Sequence, residues 1–197
     1  MRVLLLGPHR PSIEECIRAA GDSVVRTEER IDRHHPVLND VDFVVSYGYR
    51  YIIPADVLQL FGAAAVNLHI SLLPWNRGAD PNLWSYLEDT PKGVTVHVLY
   101  PDLDTGPVIV QAVVPESPGD TLKTSYARLS ARLEDLFCEA WPDLRDGRLE
   151  PRPQRGAGSV HCSADKAPYE HLLVDGWDTL VSGLVGKARA EGPHGTP

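Results

Sequence analysis

Short apolar runs alternate with segments of helical period over the first two-thirds of the chain, and that alternation restricts the fold more than any other feature. Arg2 to Leu6 is an apolar run that stops at Gly7-Pro8, as a buried strand does. Ser12-Ile-Glu-Glu15 has the form of a capping box, with Ser at the cap and Glu three residues on, and predicts a helix to about Ala20. Ser23 to Arg26 reads as a weak strand. Val41 to Val45 reads as a stronger one, β-branched and aromatic, closed by Ser46-Tyr-Gly48. Pro54 to Phe61 is expected to be helical, with Pro in the first turn where its missing N–H costs nothing. Ala63 to Leu68 returns to strand and Pro81 to Glu88 to helix. Gly93 to Leu99 and Pro107 to Val114 are two further strands around Asp102-Leu-Asp104, and their closeness predicts a hairpin-like return. Leu122, Tyr126, Leu129, Leu133, Leu136, Phe137 and Ala140 recur at three- and four-residue steps, which predicts a long amphipathic helix from about Asp120 to Trp141. Such alternation implies an α/β sheet, mostly parallel, with helices on both faces.

After Trp141 the texture changes. Pro151-Arg-Pro153 and Gly156-Ala-Gly158 mark irregular chain, Asp178 to Ala190 reads as a last small helix, and Gly192 to Pro197 as a frayed end. The long helix can cover the sheet or pair with a second copy in a homodimer.

Charge narrows the function classes. Lys and Arg number 19 against 27 Asp and Glu in 197 residues, a net −8, so the chain has no broad basic footprint for a phosphate backbone and no nucleic-acid partner is expected. No apolar run approaches the roughly 20 residues that cross a bilayer, so no membrane partner is expected either. Cys16, Cys138 and Cys162 are far apart and form no Cys-x-x-Cys pair. Neither a disulfide framework nor a thiolate metal site follows, and a reducing cytoplasm is the expected setting.

In an open α/β sheet, ligands bind beyond the carboxyl ends of the strands. The first such turn, Gly7-Pro-His-Arg-Pro11, is not a Gly-x-Gly-x-x-Gly loop, and its prolines remove two donors that a pyrophosphate would use. A dinucleotide cofactor is disfavoured. After Ala63 to Leu68 comes Asn67-Leu-His69-Ile-Ser71-Leu-Leu-Pro74-Trp75-Asn76-Arg77-Gly78. Residues two apart on an extended segment share a face, so Asn67, His69 and Ser71 can point together. A lone His beside apolar residues is usually structural, but an amide, an imidazole and a hydroxyl at one strand end suit acid–base work. Thr95 and His97 share a face of the next strand, and Asp104 follows in the loop. A carboxylate beside His69 would orient the ring and favour its protonation, although Asp104 also suits a turn with Thr105-Gly106. His34-His35 does not have the spacing of a zinc site, and no metal is expected.

Taken in order, Asn67-x-His69-x-Ser71-Leu-Leu-Pro74, Arg77-Gly78, Pro81, Gly93-x-Thr95-x-His97, Asp104-x-Gly106 and Gln111 resemble the 10-formyltetrahydrofolate-dependent formyltransferases. The likeness runs from about Ser46 to Gln111 and more weakly to Gly147. It implies a Rossmann-like formyltransferase fold with a shortened N-terminal half, a catalytic domain over residues 1–150, and an irregular C-terminal extension with a short helix over 151–197. It also implies 10-formyltetrahydrofolate as formyl donor and Asn67, His69 and Asp104 as the catalytic residues. By the same likeness the pterin slot falls on Arg50, Tyr51, Ile52 and Ile53 and on Tyr100, Pro101, Asp102 and Leu103.

The chemistry so implied is direct attack of a free amine on the formyl carbon, with the Asn67 amide and a protonated His69 facing the developing oxyanion and Asp104 holding His69. The loop through Ser71, Trp75, Asn76 and Arg77 would bind the acceptor, as in formyltransferases for sugar amines, unless Arg77 only ties the loop down and Trp75 only packs. The expected acceptor is the amine of a small molecule, an amino sugar that is nucleotide-linked or free, or an amino-acid derivative. A formyltetrahydrofolate hydrolase and a catalytically silent folate-binding module are the competing readings.

Overall fold

A computed structural model describes residues 1–190, so the expected frayed end, Gly192 to Pro197, lies outside the described residues. Six strands form the main sheet: β1 (Arg2–Leu6), β2 (Ser23–Thr27), β3 (Phe43–Ser46), β4 (Ala65–His69), β6 (Gly93–Val98) and β7 (Val108–Val113), in the order β2-β1-β3-β4-β6-β7. The pairs β1·β2, β1·β3 and β3·β4 are parallel; β4·β6 and β6·β7 are antiparallel. The hairpin-like return is therefore present. A second, two-stranded sheet pairs β5 (Arg77–Gly78) in parallel with β8 (Val160–His161) from the C-terminal segment.

Period-two alternation along β1 shows why both faces are covered. Val3 and Leu5 join one apolar cluster, while Leu4 and Leu6 join the other. The first cluster is roofed by α1 (Pro11–Ala19) through Ile13 and Ile17, and by α4 (Leu122–Arg145) through Leu129, Leu133, Phe137 and Trp141. The second is covered by α2 (Ala55–Phe61) through Val57 and Leu58. A third cluster joins α3 (Pro81–Leu87), the start of α4 and the C-terminal residues Val181 and Leu184. Burying each of these large aliphatic or aromatic side chains contributes about 1.5–3 kcal/mol.

Local details depart from the sequence-based expectations. The Ser12 capping box does not form: Arg10 is the cap residue of α1, and the Ser12 hydroxyl donates instead to Glu134 on α4. Pro54 is the cap residue of α2, one position before its first turn. The long helix starts with a box made by Thr121 and Thr124 and runs through Pro142 to Arg145. A proline inside a helix removes one backbone donor. Here buried Trp141 and Leu144, and the 2.9 Å pair of Arg145 with Asp22, hold the turn beyond it. The last small helix is shorter than expected: 3₁₀ turns cover Gly176–Asp178 and Val181–Gly183, and only α5 (Lys187–Ala190) is α-helical. No helix among the described residues is long and apolar enough to cross a membrane.

Trp141 ties these layers together. Its ring is fully buried, lies edge-on to Phe43 at 5.2 Å, and its indole N–H donates to Asp22 Oδ2 at 3.2 Å. Trp141→Ala is expected to destabilise the fold by about 3–5 kcal/mol in chemical denaturation, because the void lies between packed elements that cannot collapse onto it.

Candidate active site

The site stands where the parallel strands β3 and β4 end against antiparallel β6. Register places Asn67 of β4 opposite His97 of β6, and His69 opposite Thr95. The loop after β6 brings Asp104 back over them with φ 52°, a left-handed conformation that Asp adopts more readily than bulkier residues. Gly106 allows that return, since a Cβ there would lie 1.8 Å from the Val98 carbonyl oxygen.

Four groups converge on the Asp104 carboxylate. Oδ1 accepts from Asn67 Nδ2 at 3.0 Å and lies 3.3 Å from His97 Nε2. Oδ2 accepts from the Gly78 backbone N–H at 2.8 Å and lies 3.6 Å from His69 Nδ1. Gly78 makes this approach at φ 88°, and a Cβ there would meet the His161 carbonyl oxygen at 2.2 Å. Burial disfavours an ionised Asp104, but His69, His97 and the Gly78 N–H together outweigh it and hold the carboxyl well below the usual carboxylate range. Asp104 is thus an anion across the working range.

His69 differs from the sequence-based expectation. Burial dominates and pulls its pKa below the ordinary imidazole value, with Asp104 and the Asn76 carbonyl acting in the opposite sense and His97 adding to the decrease. The neutral ring is therefore the resting form at neutral pH, not the protonated one. Nε2 lies 2.9 Å from the Asn76 carbonyl oxygen, which fixes the proton on that nitrogen, since a carbonyl only accepts. Nδ1 is left as the basic atom. A proton taken up there is met by Asp104 at 3.6 Å.

These titrations have one sign. The unfolded chain binds a proton at His69 below about pH 6.5 and at Asp104 below about pH 4, whereas the folded chain holds both groups deprotonated to lower pH. Stability is expected to rise with pH up to about 6.5 and to fall as pH drops through these windows. Thermal melts across that range check it, and His69→Asn should flatten the upper part of the rise.

A cleft of about 530 Å³ opens beside the cluster. Asn67, His69 and Asp104 line it, as do Arg50, Tyr51, Ile52, Ile53, Tyr100, Pro101 and Leu103. Asp102 is not part of the lining; its carbonyl instead accepts from the Thr105 hydroxyl at 2.9 Å. The four loop residues expected to bind the acceptor also lie outside the lining, and the polar side chains of Ser71, Asn76 and Arg77 are bonded within the protein. Ser71 is 2% exposed and donates to the Trp75 carbonyl, while Asn76 is fully buried and bonds Thr90 and Ser159. Arg77 donates twice to Gln154 Oε1, at 3.1 and 2.8 Å.

Gln154 is the residue that motif reading missed. Its Nε2 donates to the carbonyls of Asp104 at 2.7 Å and Gly106 at 2.8 Å, so one side chain from the C-terminal segment ties the Asp104 turn to the Arg77 loop. It sits in irregular chain between Pro153 and Gly156, where no periodicity or motif singles it out. Gln154→Ala leaves two buried carbonyls and a guanidinium without their partner, so a loss of about 1–3 kcal/mol in stability is expected by thermal or denaturant unfolding. His97 is the other unassigned member. It is fully buried and contacts Asn67 Nδ2 at 3.3 Å.

A doubly covered α/β sheet thus carries an Asn–His–Asp cluster at its strand ends. Residues 33–140, a little over half of the chain, match the family model described as formyl transferase, so the chain belongs to the formyl transferase family. It is 50% identical to the formyltransferase PseJ of Anoxybacillus kamchatkensis, with a TM-score of 0.93 over 95% of this chain and 100% of that one. That protein was solved in complex with UDP-4,6-dideoxy-4-formamido-L-AltNAc and tetrahydrofolate. Among curated proteins, the chain is 38% identical over 156 residues to the methionyl-tRNA formyltransferase of Myxococcus xanthus, covering 76% of this chain and 49% of that protein. The Trichlorobacter lovleyi enzyme of the same name is 33% identical over 152 residues, covering 77% of this chain and 47% of that protein. The chain thus spans about half the length of the curated relatives it matches.

Proposed function

We propose that this chain transfers a formyl group from 10-formyltetrahydrofolate to the primary amine of an amino sugar carried on a nucleotide. The observation that carries the reading is the meeting of Asn67, His69 and Asp104 at one wall of a cleft whose other walls are largely apolar and aromatic, with Arg50, His161 and Ser163 among them. A cleft of about 530 Å³ is of the size that takes a flat heterocycle and its linker. Ile52, Ile53, Leu99 and Tyr100 supply apolar surface for a pterin. The family resemblance supports the donor. Likeness along the whole of PseJ, whose complex holds a formylated UDP-sugar and tetrahydrofolate, supports the acceptor class.

The folate supplies the activated formyl group. Asn67 Nδ2 has two protons, and one is given to Asp104 at 3.0 Å. The second N–H is the donor to the formyl oxygen as negative charge develops on it. The attacking amine becomes acidic as its bond to carbon forms, and neutral His69 Nδ1 accepts its proton. Asp104 then stabilises the imidazolium and keeps the proton close for the departing folate nitrogen. No Ser or Cys nucleophile takes part.

The test is purified protein, donor folate and a panel of amines that includes nucleotide-linked amino sugars, free amino sugars and amino-acid derivatives, read by mass. Formylation of a nucleotide-linked amino sugar is expected. Folate deformylation with no formylated amine would contradict the reading and favour the hydrolase.

A further inference from the structure

A second cavity of about 620 Å³ adjoins the catalytic cleft, and the two share Pro81 and Tyr126 in their walls. Its other sides are made by Asp80, Asn82, Lys123, Trp177 and Asp178. Trp177 and Tyr126 leave 51% and 38% of their surface open, with ring centroids 6.3 Å apart and planes at 64°. Open aromatic faces of this kind are platforms on which a flat base stacks.

Trp177 is exposed, yet its backbone is held in place. Leu122 at the start of α4 donates its N–H to the Thr179 carbonyl at 3.1 Å, and Val181 donates to the Asp120 carbonyl at 3.0 Å. The 3₁₀ turn Gly176–Asp178 is thereby tied to the start of the helix through the backbone that follows it, in addition to the ring contact with Tyr126. Two charged groups stand at the cavity edge, Lys123 Nζ and Asp178 Oδ1, 3.5 Å apart and both more than half exposed. Such an exposed pair contributes little and opens readily. Asp80 is already engaged by Lys166 at 2.9 Å, so it does not repel an anion as a free carboxylate would.

We infer that this cavity is the nucleoside subsite of the acceptor and takes a uracil-type pyrimidine nucleoside diphosphate. This rests on the formyl-transfer reading above and adds where the nucleotide lies and which base is favoured. The base stacks on Trp177 and Tyr126. Its imide N–H donates to Asp178, which releases Lys123 to the diphosphate, and the sugar passes Tyr126 and Pro81 to reach Asn67 and His69. Cytosine has no ring imide proton at that edge and is disfavoured.

The test is calorimetric titration of UDP into the full chain, as wild type, Trp177→Ala and Trp177→Phe, beside steady-state formylation of the nucleotide-linked acceptor. Trp177→Ala is expected to weaken UDP binding by about 5- to 150-fold, the range that a single base–aromatic stack supports. Trp177→Phe should recover most of it, and CDP should bind more weakly than UDP to the wild type. The acceptor KM should rise by the same factor while kcat and folate binding hold. Equal UDP affinity of wild type and Trp177→Ala, or no binding to the wild type, overturns the inference. In either case, continued formylation of a free amine leaves the formyl-transfer reading standing. Failure on every amine is the separate failure of that reading.

Discussion

Asp104→Asn should lower kcat by about 10²- to 10⁴-fold, the usual contribution of general acid–base assistance. The replacement keeps the shape, and its amide oxygen still accepts from the Gly78 N–H, which now lies 2.8 Å from Oδ2. What it removes is the charge that meets a proton on His69 Nδ1 at 3.6 Å, together with the Oδ1 acceptor of Asn67 Nδ2 at 3.0 Å. His69 is already biased to the neutral ring by burial. Without the anion, its imidazolium has no counter-charge in a buried site, and the proton is left on the attacking amine. Steady-state kinetics and folate titration on the same sample check the split: turnover falls while donor binding persists. Turnover equal to wild type would remove Asp104 from the chemistry.

Asn67→Ala should cost about 10²- to 10³-fold in kcat, as loss of one oxyanion donor does in acyl transfer. Asn67 is also a partner of Asp104 at 3.0 Å, but the Gly78 N–H still holds the other carboxylate oxygen. The Asp104 turn is secured independently through Gln154, so the carboxylate is expected to stay in place. The prediction is therefore a fall in kcat with little change in the KM for either substrate. A variant that keeps kcat but loses donor affinity would show that Asn67 binds the folate and does not stabilise the transition state.

Local pattern carried the sheet and the residues that meet in the site. Strands β1, β3, β4 and β6 are apolar runs cut off by turn residues, and burial on both faces is what such runs signify. Asn67 and His69 are two apart on one strand, so their common face follows from backbone geometry alone. Asp104 required more, because its position depends on a left-handed turn and on pairing between β4 and β6, which the hairpin around it only suggested.

Other features were illegible for physical reasons. Ser71, Asn76 and Arg77 look like ligand-binding polar residues, but a loop that crosses a strand end must satisfy its own buried polar groups, and these side chains do so. Ser12 reads as a helix cap in one dimension, whereas in three dimensions α4 offers it Glu134. The extent of α4 beyond Pro142 depends on Asp22, more than a hundred residues earlier in the chain. Gln154 acts on a turn fifty positions before it. The pairing of β8 with β5 and the backbone bridge between Val108 and Arg152 explain why irregular chain reaches the site.

The most direct measurement is a single-turnover quench with isotopically labelled formyl donor, following the label on folate, protein and acceptor by mass. Loss from the folate should match gain on the acceptor amine in one phase, with no labelled protein at any time, and Asp104→Asn should slow that phase without altering its endpoint. Label accumulating on the polypeptide, or leaving as formate while the amine stays bare, would contradict direct transfer by the three groups.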